Sequence, residues 1–182
     1  MDFVVEPQAV PCAAIAGEDR LFPVRRIFCV GRNYAAHARE MGKDPERDPP
    51  FFFTKPADVL VPDGATIPYP PETSNFHFEA ELVVAIRKDG FRIAEDDVVS
   101  HIFGYAVGND LTRRDLQLAA REAGRPWDWG KAFDLSAPCG PIRRIEEVGE
   151  MKSGSITLTV NGELKQDSDL SKLIWDVNEI VS

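Results

Sequence analysis

Glu79 and Glu81 stand two residues apart in the run FHFEAELVVAI, residues 76–86. At the period of a strand they point the same way, roughly 6.6 Å apart along the chain. The face they share begins at His77 and turns apolar at Val83 and Ala85. Like charges heading into a buried region repel each other and lose hydration; a bound cation or raised pKa values would relieve both costs. An isolated Glu-x-Glu is more often a half-solvated face. A third acid, Asp110, at the end of the apolar run in GYAVGNDLT, shifts the balance toward a cation site. His37 and Glu40 have the spacing that puts two residues on one face of a helix. Arg114 follows soon after Asp110, and Lys131 lies in an aromatic loop. Each of these two fits anion binding and plain surface charge about equally.

These residues need elements to hold them. Residues 76–86 are predicted as a strand whose core face carries Phe76, Phe78, Ala80, Leu82, Val84 and Ile86. Residues 104–112 are a second strand, bearing Asp110. Before them, residues 2–6 and 12–16 are predicted to pair as a hairpin around Pro7 and Pro11, and residues 26–30 form a strand closed by Gly31. Asn33 is a candidate N-cap for a short helix over 34–41 that Gly42 ends. Polar, proline-rich 43–50 is loop, and 51–53 a short strand. A helix over 94–102 has Glu95, Asp96 and Asp97 in its first turn, where the helix dipole favours them. Another, over 113–123, has Leu116, Ala119 and Ala120 on one stripe and stops at Gly124. Residues 126–133 form an aromatic loop, and Asn161-Gly162 marks a hairpin between 156–160 and 163–166. A helical pattern over 170–181 carries an apolar stripe with nothing after it to lie against, so the sequence is expected to be incomplete at its C-terminus. Strands outnumber helices and follow one another directly, which predicts an α+β fold with a mostly antiparallel or mixed sheet.

With 182 residues, 43% of them hydrophobic, the chain can bury a core. A formal charge of −9 argues against nucleic acid or an anionic membrane as partner. No apolar run reaches the length of a transmembrane helix, and the N-terminal residues lack a basic region followed by an apolar block, so no secretion signal is expected. Cys12, Cys29 and Cys139 are few and widely spaced, which points to a reducing compartment, the cytoplasm, and to no structural zinc.

Taken together in their order and spacing, GRNYAAHAREMG, PPFFFTKP, FEAELVV, GYAVGNDLTRRDLQ and WGKAFD resemble the fumarylacetoacetate hydrolase family, in particular its compact members that cleave acylpyruvates. The resemblance covers residues 25–182, taken as a catalytic domain after an N-terminal hairpin segment, 1–24. It implies a β-rich mixed-sheet roll, commonly a homodimer, with one divalent cation. Position by position it makes Glu79, Glu81 and Asp110 the metal ligands, and all-oxygen ligation suits Mg²⁺ or Mn²⁺, with Ca²⁺ also possible. His37 and Glu40 match a pair that activates water, the Glu fixing the tautomer of the His. Arg114, Gln117 and Lys131 match substrate contacts, with Lys131 stabilising an oxyanion. Arg32 and Lys55 are weaker candidates for binding a carboxylate. A fourth acidic ligand of larger relatives falls near Val30, where water would take its place.

The expected reaction is hydrolytic C–C cleavage of an acylpyruvate, fumarylpyruvate going to fumarate and pyruvate, a step of aromatic catabolism. Two alternatives stand beside it. The same groups could serve decarboxylation or enol–keto isomerisation of a 2-oxo acid, since all three reactions stabilise an enolate. The chain could also be a cation-dependent binding module without turnover, although such a module would need neither His37 nor Glu40.

Overall fold

The computed structural model describes residues 2–34 and 48–182. Strands β1 (Cys12–Ala14) and β2 (Leu21–Pro23) pair antiparallel. The first strand is therefore 12–14 and its partner 21–23; residues 2–6, expected to pair with 12–16, form no strand. Pro7 and Pro11 remove two backbone donors from that leading segment, whereas Gly17 supplies the left-handed φ of 73° that the turn needs.

β3 (Ile27–Gly31) and β4 (Phe51–Lys55) form a second antiparallel pair, and β5 (Leu60–Pro62) follows a short 3₁₀ turn. The acidic run splits into β6 (Phe76–His77) and β7 (Ala80–Ile86). A 3₁₀ segment, Glu95–His101, takes the place of the helix expected at 94–102. β8 (Ile102–Asn109) ends before Asp110, and β9 (Thr112–Arg113) leads into helix α1 (Arg114–Glu122). The aromatic loop contains a single helical turn, α2 (Asp128–Lys131). Then come β10 (Ala137–Cys139), β11 (Arg143–Arg144), α3 (Ile145–Val148), β12 (Ser155–Val160) and β13 (Glu163–Asp169). A 3₁₀ turn at Leu170–Lys172 precedes α4 (Val177–Val181), whose start is a capping box between Asp176 and Glu179. Among the described residues no helix is long and apolar enough to cross a membrane.

The organising sheet is mixed, as expected. β7 pairs antiparallel with β8 along its length, β10 and β11 pair antiparallel with β8, and β5 joins β10 in parallel. Both faces of β7 and β8 are covered. Val83, Ala85 and Ala106 pack with Ala13 and Ile142, while Leu82, Val84 and Tyr105 pack with Val98, Ile102, Ile145 and the α4 residues Val177 and Val181. The expected single core face of residues 76–86 is thus corrected. A register shift at Ala85/Ile86 leaves Ile86 exposed, and Val83 and Ala85 belong to a second core. The Asn161-Gly162 hairpin forms, with φ of 53° and 85° at its two turn residues.

Candidate active site

Two interruptions face each other and define the site. β6 pairs with β9 and β7 with β8, so Phe78 and Glu79 fall in one gap, Asp110 and Leu111 in the other. The gaps are stitched together: the Asp110 amide donates to Glu79 O (2.8 Å), and the Glu79 amide donates to Asn109 Oδ1 (2.9 Å). Two acids thereby meet where neither belongs to a regular ladder.

Three cationic side chains close on them. Lys131 Nζ, at the end of α2, donates to Glu79 Oε2 and to Asp110 Oδ2, each at 2.6 Å. Arg114, first residue of α1, donates through Nη2 to Glu79 Oε1 and through Nη1 to Gln117 Oε1 at 2.5 Å. Its own amide is held by Asn75 O at 2.8 Å. Lys55 Nζ, from the end of β4, reaches Leu111 O at 3.1 Å and Lys131 O, and lies 3.0 Å from Asp110 Oδ1. That last contact is an ion pair without hydrogen-bond geometry, so Asp110 Oδ1 is buried and accepts no hydrogen bond.

The helices take these positions for local reasons. α2 docks on α1 because residue 130 is glycine: a Cβ there would sit 2.8 Å from the Gln117 amide nitrogen. The buried residue of α1 is Gln117, not the stripe of Leu116, Ala119 and Ala120 that periodicity picks out, and Ala119 is exposed. Gln117 is held there by Arg114 and by the close approach of Gly130. Lys131 runs past Phe53, its Nζ 5.1 Å from the ring centroid, and Trp127 packs on Phe51 and Phe53.

The electrostatics separate the three carboxylates. Burial would raise Glu79, but Lys131 and Arg114 outweigh it and hold the group below the ordinary carboxyl range. Burial pushes Glu81 up to about 8, with the charges of Glu79 and Asp110 adding to it. Burial also draws Lys55 below its usual value, against the pull of Asp110.

Glu79, Asp110, Arg114, Gln117 and Lys131 are therefore brought together, with Glu81 near enough to feel both acids. Lys55 is in the cluster but turned inward: only 3% exposed, it is held on two carbonyl oxygens and Asp110 rather than presented to a ligand carboxylate. Arg32 has a left-handed φ of 61° and lies over the rings of Phe51 and Trp127, 5.4 and 5.6 Å from their centroids. Its Nε is buried without a hydrogen-bond partner. His37 and Glu40, and all but the first residue of the helix expected over 34–41, lie outside the described residues. Asn109, which ties the two gaps, was missed; its only signal in sequence is its place directly before Asp110.

The donor chemistry fits a hard divalent cation. Three carboxylates, one of them driven toward its neutral form, are a set that an added positive charge would satisfy. Among the described residues no three acidic, His or Cys side chains converge closely enough to hold an ion. In this arrangement the Lys131 ammonium supplies the positive charge between Glu79 and Asp110.

Residues 26–182 match the family model for the C-terminal domain of fumarylacetoacetate hydrolase. The chain is 52% identical over 132 residues to a fumarylpyruvate hydrolase of a Ralstonia species, covering 72% of this chain and 68% of that protein. It is 35% identical over 158 residues to a mitochondrial oxaloacetate tautomerase of Homo sapiens, covering 87% and 71%. A crystal structure of fumarylpyruvate hydrolase from Pseudomonas aeruginosa, in complex with Mn²⁺ and pyruvate, superposes with a TM-score of 0.95 at 55% identity, over 100% of this chain and 79% of that one. The mixed-sheet α+β fold is that of these enzymes, and the chain belongs to the fumarylacetoacetate hydrolase family.

Proposed function

We propose that the protein is a divalent-cation-dependent acylpyruvate hydrolase that converts fumarylpyruvate and water to fumarate and pyruvate. The observation that carries the reading is the closure of Arg114, itself held by Gln117, and of Lys131 on Glu79, beside Asp110 and Glu81. Cationic donors gathered around an acidic cation site suit a small substrate with a carboxylate and adjoining carbonyls. The names of relatives about half identical to this chain, one of them with Mn²⁺ and pyruvate bound, support the same substrate class.

Each residue has a role in this reading. Glu79, Glu81 and Asp110 hold the cation, Mg²⁺ or Mn²⁺. When bound, it supplies Lewis acidity at the 2-oxo acid end of the substrate. Arg114 pairs with a substrate carboxylate, and Gln117 fixes the direction of the guanidinium. His37, oriented by Glu40, takes a proton from the water that attacks the distal carbonyl. Lys131 supplies positive charge for the oxyanion that forms there. The bond between that carbonyl and the methylene then breaks, and the methylene carbon takes up a proton as pyruvate leaves. Residues 25–182 serve as the catalytic unit. The working form in this reading is a cytoplasmic homodimer, in keeping with three free thiols and the family resemblance.

A second reading has one specific observation behind it, the similarity to an oxaloacetate tautomerase. Tautomerisation needs a stabilised enolate and a proton carrier but no attacking water. His37→Ala separates the two: it is expected to lower fumarylpyruvate hydrolysis by roughly 10²–10⁴-fold, the usual worth of a general base, with little change in substrate binding. Equal hydrolysis by variant and wild type would remove the His–Glu base. A wild type that leaves fumarylpyruvate intact but tautomerises oxaloacetate would put the second reading in its place.

A further inference from the structure

Arg113 and Arg114 are neighbours that face opposite ways. Arg114 joins the carboxylate cluster, whereas Arg113 is 8% exposed and its side chain has neither a hydrogen bond nor an ion pair among the described residues. Its Nε is buried and unpartnered, and its guanidinium carbon lies 4.5 Å from the centre of the Phe133 ring. A buried cation is ordinarily paired, because desolvating it without a partner is costly. Arg113 lines a cavity of about 500 Å³, within the size range of small-molecule sites. Tyr69, Trp129 and Phe133 give this cavity aromatic walls, and the exposed acids Asp128 and Asp134 also line it.

We propose that this cavity is a second ligand site, for a small monocarboxylate with a flat apolar body, its carboxylate on Arg113 and its body between the aromatic side chains. The free guanidinium selects an anion and offers the paired donors that a carboxylate accepts. The rings select a flat apolar body. The site lies beside the carboxylate cluster without sharing a ligand group with it. Asp128 and Trp129 belong to the same helical turn as Lys131, and Phe133 lies between Arg113 and Lys55, whose Nζ is 5.6 Å from the ring centroid. The proposal stands independently of the reaction assigned above.

Calorimetric titration with benzoate, in EDTA, tests it. Wild type and Glu81→Gln are expected to bind benzoate with equal affinity, since the cation site is not involved. Arg113→Met is expected to weaken binding at least about tenfold, the worth of a charge-assisted hydrogen bond, and benzamide is expected to give no heat. Without ligand, Arg113→Met is expected to melt no lower than wild type, because the cost of burying an unpaired charge offsets its contact with the Phe133 ring. Absence of benzoate binding, undiminished binding by Arg113→Met, or loss of binding in Glu81→Gln would overturn the proposal. So would an Arg113→Met chain that melts several degrees lower or fails to fold, which would make the guanidinium a structural group.

Discussion

Lys55 and Lys131 stand around the same Asp110, but they are held differently, and substitution should tell them apart. Lys55 is fixed by two backbone carbonyls as well as Asp110, so its removal takes a donor from Leu111 O and a buried countercharge from Asp110, while Lys131 O keeps the Ser136 hydroxyl. Lys55→Met is expected to cost about 3–5 kcal/mol of stability, the range for breaking a buried pair, in urea denaturation of the cation-free protein. Lys131→Met removes a donor from Glu79 and Asp110, yet Arg114 and Lys55 still serve these acids. It is expected to lower hydrolysis roughly 10²–10³-fold, as loss of an oxyanion donor does, with the smaller change in stability. A Lys55→Met chain as stable as wild type would contradict this division. The cysteines divide in a similar way. Burial pushes the Cys29 thiol up to about 12, with the Asp110 charge adding to it, whereas Cys12 is exposed. At pH 8, iodoacetamide should therefore label Cys12 and spare Cys29 in the folded protein, as mass spectrometry would show. The sign for stability follows: between pH 9 and 12 the unfolded chain releases this proton and the folded chain keeps it, so this group's contribution falls as pH rises.

The helical turn carrying Lys131 is positioned by what residue 130 lacks. Gly130→Ala would put a methyl carbon 2.8 Å from the Gln117 nitrogen, so α2 must move away from α1 and carry Lys131 with it. The expected cost is about 1–3 kcal/mol in thermal melts, with a fall in kcat; an unchanged melting temperature and rate would show that the contact does not set Lys131. None of this contact is visible in periodicity, which picks out Leu116, Ala119 and Ala120 and passes over the buried Gln117. The acidic strand was legible because Glu79, Glu81 and Asp110 each sit against an apolar run. The hairpin at Asn161-Gly162 was legible because its turn chemistry is local. The gap at Phe78 and Glu79 was not, because it arises where β6 and β7 change partners, and both partners lie some 30 residues on in the chain. Lys55 reads only as a weak carboxylate-binding candidate for the same reason: what holds it inward, the carbonyls of Leu111 and Lys131 and the charge of Asp110, comes from distant parts of the chain. The N-terminal hairpin failed on register, since two prolines looked like a turn while Gly17 supplied the real one.

On the scale of the whole molecule, a sheet covered on both faces holds two interrupted strand pairs against each other, which sets Glu79 and Asp110 around the Lys131 ammonium. With a net charge of −9, the proposed reaction relies on the cationic donors around Glu79 and Asp110 to admit an anionic substrate. Mn²⁺ binding is expected to stabilise the folded chain, by about 2.7 kcal/mol at a hundredfold excess over Kd, and Glu81→Gln to lose most of that gain. Undiminished Mn²⁺ affinity in Glu81→Gln, measured calorimetrically, would remove Glu81 from the ligand set. The most direct test of the whole account is product analysis of fumarylpyruvate incubated with the protein in Mn²⁺ and, separately, in EDTA. The account predicts fumarate and pyruvate in equal amounts with Mn²⁺ and neither above background in EDTA; unchanged fumarylpyruvate in Mn²⁺, or equal cleavage in EDTA, would contradict it.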